Sequence, residues 1–360
     1  MNERRRILLK TVPLLVIGLL AFVLYLILFV NISEMIGVIQ RANMLIYSLA
    51  ALVLIVETFF FTLTWQYLLL PLSIKIPLKK TFVYVWIGMF TDLLIPAESV
   101  SGEITKAYLM SKEPNVNSGK VIASLVSQRM LGTISTIVAL LLGFLGLLSL
   151  NYFVSGLMLQ ILVIMTTLSA VAFAFLVIIC VKEKLTERLI NAVMRFVERV
   201  SRGRFKLEHF QTTIVDALRG FYKSLRIFSS NPAKLIPPIF FYVLTWLSSI
   251  AIVFLVFVSI GYLEPNIPIL LLKIVVIYTL MIAIKSIPIG VPAEVGLPDI
   301  IMITLFVLFA IPPDTSAAAT ILIRILTVWL RLLIGFAAVQ WLGVKSLMES
   351  GVFGKPKDKI

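Results

Sequence analysis

The chain has one cysteine and one histidine in 360 residues. The lone thiol, Cys180, has no partner for an intramolecular disulfide, and it sits in an apolar run rather than among metal ligands. His209 lies in a basic stretch, where a solvated residue is the plain reading, so a catalytic histidine or a histidine-based metal site is not expected. Acidic residues are also scarce, 18 Asp and Glu against 32 Lys and Arg. No Asp-x-Asp metal motif, Ser–His pairing or metal-ligand cluster occurs, which leaves an integral-membrane enzyme poorly supported. A Gly-rich phosphate loop is missing as well: SGKV at 118–121 lacks both the upstream glycine and the Ser/Thr, so ATP is not the direct drive of any transport. No cofactor, metal or nucleic acid is therefore expected, despite a net charge of +14.

What the chain does have is apolar length. It is 60% hydrophobic with a mean hydropathy of +1.06, above the roughly half-apolar composition of soluble domains. An all-α polytopic membrane protein follows. Full spans are expected at about 8–30, 45–70, 120–150, 154–181, 235–262 and 316–343, each near or above the roughly 20 residues that cross about 30 Å of hydrocarbon. The basic start MNERRRILLK precedes an apolar stretch too long for a signal-peptide core, and is expected to hold the N-terminus of a retained first span in the cytoplasm. Two tracts behave differently. Residues 82–95 make only ~21 Å of helix and end at Pro96. Residues 270–287 carry Lys273 and Lys285 and end in IPIGVPAEVGLPD, with only ~18 Å of apolar helix after it at 300–311. Both read as re-entrant or broken segments, which survive at membrane depth only when buried in protein or facing water.

The charges fit that arrangement. Lysines and arginines concentrate in the 71–81 loop, the 182–234 loop and the tail, while the remaining connections hold one arginine between them. Six spans plus two re-entrant hairpins put every basic loop on the cytoplasmic side of a cell membrane, with both termini there. Within the long loop, Leu185, Leu189, Val193, Phe196 and Val200 recur at helical spacing, as do Phe210, Ile214, Leu218, Phe221, Leu225 and Phe228. Amphipathic helices at 182–230 could lie on the membrane surface or pack against the protein's own underside.

The polar break occurs twice. IPAESVSGEI contains Pro96-Ala97-Glu98, and VPAEVGLPDI contains Pro292-Ala293-Glu294. An acid followed by isoleucine stands five residues after each glutamate, at Glu103 and Asp299. Arg129 follows Glu103 by 26 residues and Arg324 follows Asp299 by 25, each inside a long apolar helix. Two such units of opposite orientation describe an inverted repeat with halves of about 1–150 and 151–345, whose substrate site lies at the repeat interface on broken helices. Pro96, Gly102, Pro292 and Gly296 would permit the breaks. Arg331 stands seven residues beyond Arg324, on the same face of an ideal helix.

An ionised group near a helix centre costs on the order of 3 kcal/mol to insert, so each needs a partner or a task. Two readings stand for Arg129, Arg324 and Arg331: they grip a phosphate or other anion, or Arg129 pairs with Glu103 and Arg324 with Asp299 to fix each hairpin to its helix. Lys285 could neutralise Glu294. Glu57 and Asp92 are candidate proton-coupling carboxylates, with a hydrogen-bonded structural acid as the plainer reading. Trp65, Trp86 and Trp341 near span ends read as interface anchors.

At these motifs the chain resembles the transmembrane-region family of lysylphosphatidylglycerol synthases and flippases, in its stand-alone form without the soluble synthase domain. The first family signature, a proline followed by Gly-Gly-Glu, looks like Pro96 with Ser101-Gly102-Glu103, and Arg129 in SQRML matches the arginine of the next helix. The second, Pro-Gly-Gly-x-Gly-x-x-Glu, looks like Pro292 to Asp299, followed by Arg324 in LIRIL. Ser101, Ala293, Glu294 and Asp299 depart from the pattern, and the extra acid at Glu294 questions the usual headgroup. The resemblance implies one flippase-like domain over 1–350, with 351–360 a short basic tail, too small to fold alone. It implies a non-enzymatic lipid flippase or transporter, moving a phospholipid, aminoacyl-lipid or lipid-linked sugar between leaflets. Arg129, Arg324 and Arg331 would hold the phosphate, and Glu98, Glu103, Glu294 and Asp299 would orient those arginines or meet cationic groups of the lipid. A secondary transporter of a small anion fits inverted repeats equally well. A non-catalytic partner of a separate lipid-modifying enzyme, docked on the 182–234 loop, is the third reading.

Overall fold

The structure is a computed structural model that describes residues 20, 22–95, 100–152, 155–183, 188, 208–285 and 296–343. It is all-helical, with no strand among the described residues. In chain order the helices are α1 (Phe22–Phe29), α2 (Ile32–Gln40), α3 (Met44–Leu69), α4 (Leu78–Leu94), α5 (Val100–Ser111), α6 (Ser118–Ser149) and α7 (Gly156–Val181). Then come α8 (Glu208–Ser230), α9 (Ile236–Ser259), α10 (Ile267–Lys285), α11 (Leu297–Leu308) and α12 (Pro313–Arg324). A π-helical turn, Ile325–Leu330, joins α12 to α13 (Arg331–Leu342). Several starts are set locally by side-chain caps that satisfy the first free backbone N–H groups. Asn43 accepts from Leu45 and Ile46, Asn117 from Lys120, and Ser155 from Met158.

Among the described residues, six helical stretches are long and apolar enough to cross a membrane: Met44–Leu72, Ser118–Ser149, Gly156–Val181, Pro232–Ser259, Ile267–Lys285 and Pro313–Leu342. Five of these match expected spans. The sixth, α10, falls on the tract that reads as re-entrant or broken. It starts at Ile267 and runs for 19 residues, because Lys273 does not interrupt it. The Lys273 ammonium lies 2.7 Å from Glu264 Oε1 and 4.7 Å from the centre of the Tyr152 ring, so its charge is matched in place. The expected span at 8–30 lies largely outside the described residues; its described end, α1, turns by 100° into α2. The tail at 351–360 and the amphipathic stretch at 185–200 lie, apart from Arg188 in the latter, outside them too.

Two apolar cores organise the bundle. One gathers the first half of α3, the second half of α6, and α9 to α12, around Leu54, Leu147, Phe257, Ile274 and Phe306. The other gathers the second half of α3 with α4, α5, the start of α6 and α13, around Trp65, Leu68, Ile87 and Met110. Trp65 and Trp86 therefore serve as core residues rather than interface anchors; Trp65 is fully buried and donates to Ser124 Oγ at 2.9 Å. Trp341 is exposed, as an interface residue would be. Helices α3 and α9 pack along each other in antiparallel fashion, the start of α3 meeting the end of α9 through Asn43 N to Ser259 O at 2.7 Å. The α4–α5 unit is rooted where α3 ends, and the α10–α11 unit where α9 ends. The two roots thus stand at opposite ends of α3.

The α4–α5 crossing is very close. A Cβ at Gly102 would collide with the Asp92 carboxylate and the Gly88 carbonyl, so only glycine fits. At the root, Glu113 receives Lys80 Nζ at 2.9 Å and the Tyr84 hydroxyl at 2.6 Å. Partial burial pushes the Glu113 carboxyl up, but the Tyr84 hydrogen bond and Lys80 outweigh it and hold it below its ordinary range. Helix α8 settles the choice left open for its half of the basic loop. Phe221, Tyr222 and Ser224 are buried against the start of α6, and the Tyr222 hydroxyl donates to Ile179 O at 2.9 Å. From Leu218 onward its side chains pack on the protein itself.

Gly102→Val should lower stability by about 1–3 kcal/mol, the usual cost of overpacking. Gly37→Ala, in a half-buried helical position with nothing within 4 Å, should not destabilise, gaining up to about 1 kcal/mol of helix propensity. Unfolding midpoints of the two variants in one detergent check the contrast.

Candidate functional site

Between the two cores lies a cavity of about 820 Å³, walled by every helix from α3 to α13 except α8. Apolar walls come from both cores, including Phe61, Val85, Ile277 and Phe306. The polar lining is cationic: Lys106, Arg129, Lys285, Arg324 and Arg331, facing the acids Asp92 and Glu103. The ends of α4 and α10 both reach it, through Asp92 and Lys285.

Each expected acid–arginine pair is formed. Arg129 Nη1 lies 3.2 Å from Glu103 Oε1, and both side chains keep about a third of their surface exposed (32% and 28%). Arg324 Nε lies 2.7 Å from Asp299 Oδ1, and both are nearly enclosed (11% and 6%). The two units share a local design: a 12-residue helix with an acid in its first turn, answered by an arginine from the following helix. Asp299 also accepts the Gly296 N–H at 2.7 Å, closing the start of α11. Gly296 sits at φ +97°, a conformation that favours glycine. In the first unit the same closure comes from α4: Asp92 Oδ1 accepts Gly102 N at 2.6 Å and Ser101 Oγ at 2.7 Å.

The third arginine departs from expectation. Arg331 lines the same cavity as Arg324, but its partner is Glu57 of α3, at 2.7 Å. Glu57 is buried and also accepts from Ser249 Oγ of α9 at 3.1 Å. The π-helical turn between the two arginines widens the spiral, so they reach different neighbours, α11 and α3. Glu57 and Asp92, considered as coupling carboxylates, are thus both engaged as hydrogen-bond acceptors. Pro96, Glu98, Pro292 and Glu294 lie outside the described residues.

Sequence reasoning passed over Lys106, Tyr242, Tyr278 and Gln128, all of which line the cavity. For Lys106 a signal existed: it stands four residues after Gly102, on the face of α5 that crosses α4. The tyrosines carry no comparable mark, because a tyrosine in an apolar helix most often packs in a core.

Residues 14–335 match the family described as the lysylphosphatidylglycerol synthase transmembrane region. Relatives over almost the full length include a UPF0104 membrane protein of Methanothermobacter thermautotrophicus, 26% identical, covering 98% of this chain and 99% of that one. One from Methanocaldococcus jannaschii is 25% identical over 92% and 94% of the two chains. One from Pyrococcus horikoshii is 22% identical over 91% and 95%.

Burial separates the two hairpin pairs energetically. Arg324→Met leaves Asp299 enclosed without its arginine and should cost about 3–5 kcal/mol. Arg129→Met breaks a pair that keeps about a third of its surface exposed and should cost about 1 kcal/mol or less. Denaturation of both variants in detergent checks the order.

Proposed function

Taking as premise that the chain belongs to the lysylphosphatidylglycerol synthase transmembrane-region family, we propose that it moves a polar lipid between the leaflets of a cell membrane. It does so as a transporter rather than an enzyme. The observation that carries this reading is the cavity of about 820 Å³, lined by three arginines and two lysines in a chain of membrane-spanning helices. A headgroup cannot enter hydrocarbon without leaving its charges and hydrogen bonds unmatched. The cavity offers matched partners at depth.

In this reading α4–α5 and α10–α11 are re-entrant hairpins of an inverted repeat, entering from opposite faces and meeting at the cavity. The opposed roots of the two units on α3 support it, as does their shared acid–arginine design. The first hairpin opens from the cytoplasm, where both termini lie. Helix α7 stands between the cavity and the bilayer, walling one side with Leu168, Ala172 and Phe175 while most of its own surface faces outward. A lipid whose chains stay in the bilayer would need that wall to part, whereas a small anion would not.

The test is flipping of fluorescent phospholipid analogues in proteoliposomes. Wild type should exceed empty vesicles, and Arg129→Ala should lower the rate by about tenfold or more, the loss of one charge-assisted contact. A well-folded Arg129→Ala that flips at the wild-type rate, or a wild type that conducts small anions and flips nothing, would sink this reading.

A further inference from the structure

The charges around the first hairpin balance, and that balance limits what can enter on its own. Lys106 and Arg129 line the cavity together with Asp92 and Glu103, and the four groups lie within electrostatic reach of one another. Asp92 accepts Ser101 Oγ at 2.7 Å and Gly102 N at 2.6 Å, both neutral donors, so its charge still faces Lys106. Glu103 accepts from Arg129 Nη1 at 3.2 Å. Among the described residues, two cations thus meet two carboxylates. The cations across the cavity are committed elsewhere: Arg324 to Asp299, Arg331 to Glu57, with Lys285 also bearing on Asp299. Tyr242 and Tyr278 complete the titratable lining on that side.

A phosphate that takes the fork of Arg129 adds a negative charge to this balanced set. Glu103 is the acid that the exchange strips. Its described hydrogen bond is the one contact from Arg129, whereas Asp299 also receives the Gly296 N–H and Glu57 the Ser249 hydroxyl. Lys106 cannot stand in for the arginine, because Asp92 already draws on it. An ionised carboxylate without a counter-charge is costly at membrane depth. Glu103 lines the cavity and is the least enclosed of the three paired acids, so a proton can reach it there.

We infer that Glu103 takes up one proton when Arg129 turns to the lipid phosphate, so that the protein moves a proton together with each net negative charge. This rests on the lipid-transport reading and supplies its coupling. The charges close. A proton from the aqueous phase bonds to a Glu103 oxygen, the guanidinium keeps its own protons, and the phosphate's negative charge is offset. On release at the other face the proton leaves to that side, and Arg129 returns to Glu103. A headgroup that carries an ammonium beside its phosphate brings the positive charge itself and needs no proton.

The experiment uses the full chain in proteoliposomes with two fluorescent probes, a singly negative phosphatidylglycerol analogue and a zwitterionic phosphatidylcholine analogue. Their leaflet ratio at equilibrium is read by dithionite quenching under a pH difference or a potassium diffusion potential. An anion that travels with a proton moves no net charge. The anionic probe should therefore gather in the leaflet facing the alkaline side, by about tenfold per pH unit, and ignore the potential. The zwitterionic probe should follow neither gradient. An anionic probe that shifts by about fiftyfold per 100 mV, without a pH response, crosses as a bare anion. That result overturns the coupling and leaves lipid transport standing; a ratio that follows neither gradient overturns the coupling as well. Glu103→Gln can neither hold nor release the proton, so its leaflet ratio should follow the potential and not the pH difference. A Glu103→Gln chain that still follows pH overturns the assignment to this residue. The wild-type result decides the coupling whether or not that variant folds. A wild type that flips neither probe overturns the lipid reading itself, and the coupling with it.

Discussion

An ionised group in hydrocarbon must find its counter-charge inside the protein, and the architecture answers to that demand. Glu57, Glu103 and Asp299 each meet an arginine from another helix. Those three contacts tie α3 to α13, α5 to α6 and α11 to α12. Each joins elements that apolar packing alone would let slide, since side chains in a bilayer gain little from burial against one another rather than lipid. Asp92 performs the same service without an arginine, by accepting the first free donors of α5. Helix α11 starts where it does because Asp299 is there to receive the Gly296 N–H.

Close approach is the second constraint, and it depends on the first. Asp92 can reach Gly102 N at 2.6 Å only because neither Gly88 nor Gly102 carries a side chain at the crossing. The lysine one turn on fills the space the glycines leave, its stem against α4 and its ammonium in the cavity. A charged residue is thereby delivered to the cavity by the same packing that closes the hairpin.

The sequence made part of this legible. Glu103–Arg129 and Asp299–Arg324 could be read because acid and arginine sit at matched spacing on consecutive helices, so local order implies contact. Arg331–Glu57 could not: its members are 274 positions apart, on helices brought together only by the antiparallel packing of the bundle. The π-helical turn hid it further, because spacing on an ideal helix sent Arg331 to the face of Arg324. Hydropathy found the long helices; α10 is continuous through Lys273 because Glu264 and the Tyr152 ring absorb the charge locally. Trp65 and Trp86 were misread. Position near a span end says nothing of which way an indole points, and both point into the core around α4.

Differences in enclosure among the three arginine pairs bear on how a headgroup could pass. A pair that is to be exchanged for a ligand must break and reform, and the desolvation cost of breaking rises with burial. Arg324–Asp299 is the most enclosed, and Asp299 additionally closes the first turn of α11. Breaking it would free a helix end as well as a charge. Arg331–Glu57 is bound from two sides, by α13 and α9. Arg129–Glu103 is longer, more exposed and made through a single nitrogen. In the proposed function it is therefore the pair that can yield to a phosphate, since Glu103 is the least enclosed of the three paired acids. The fixed pairs then define the walls against which that exchange takes place, and the asymmetry between the units follows from burial rather than from residue type.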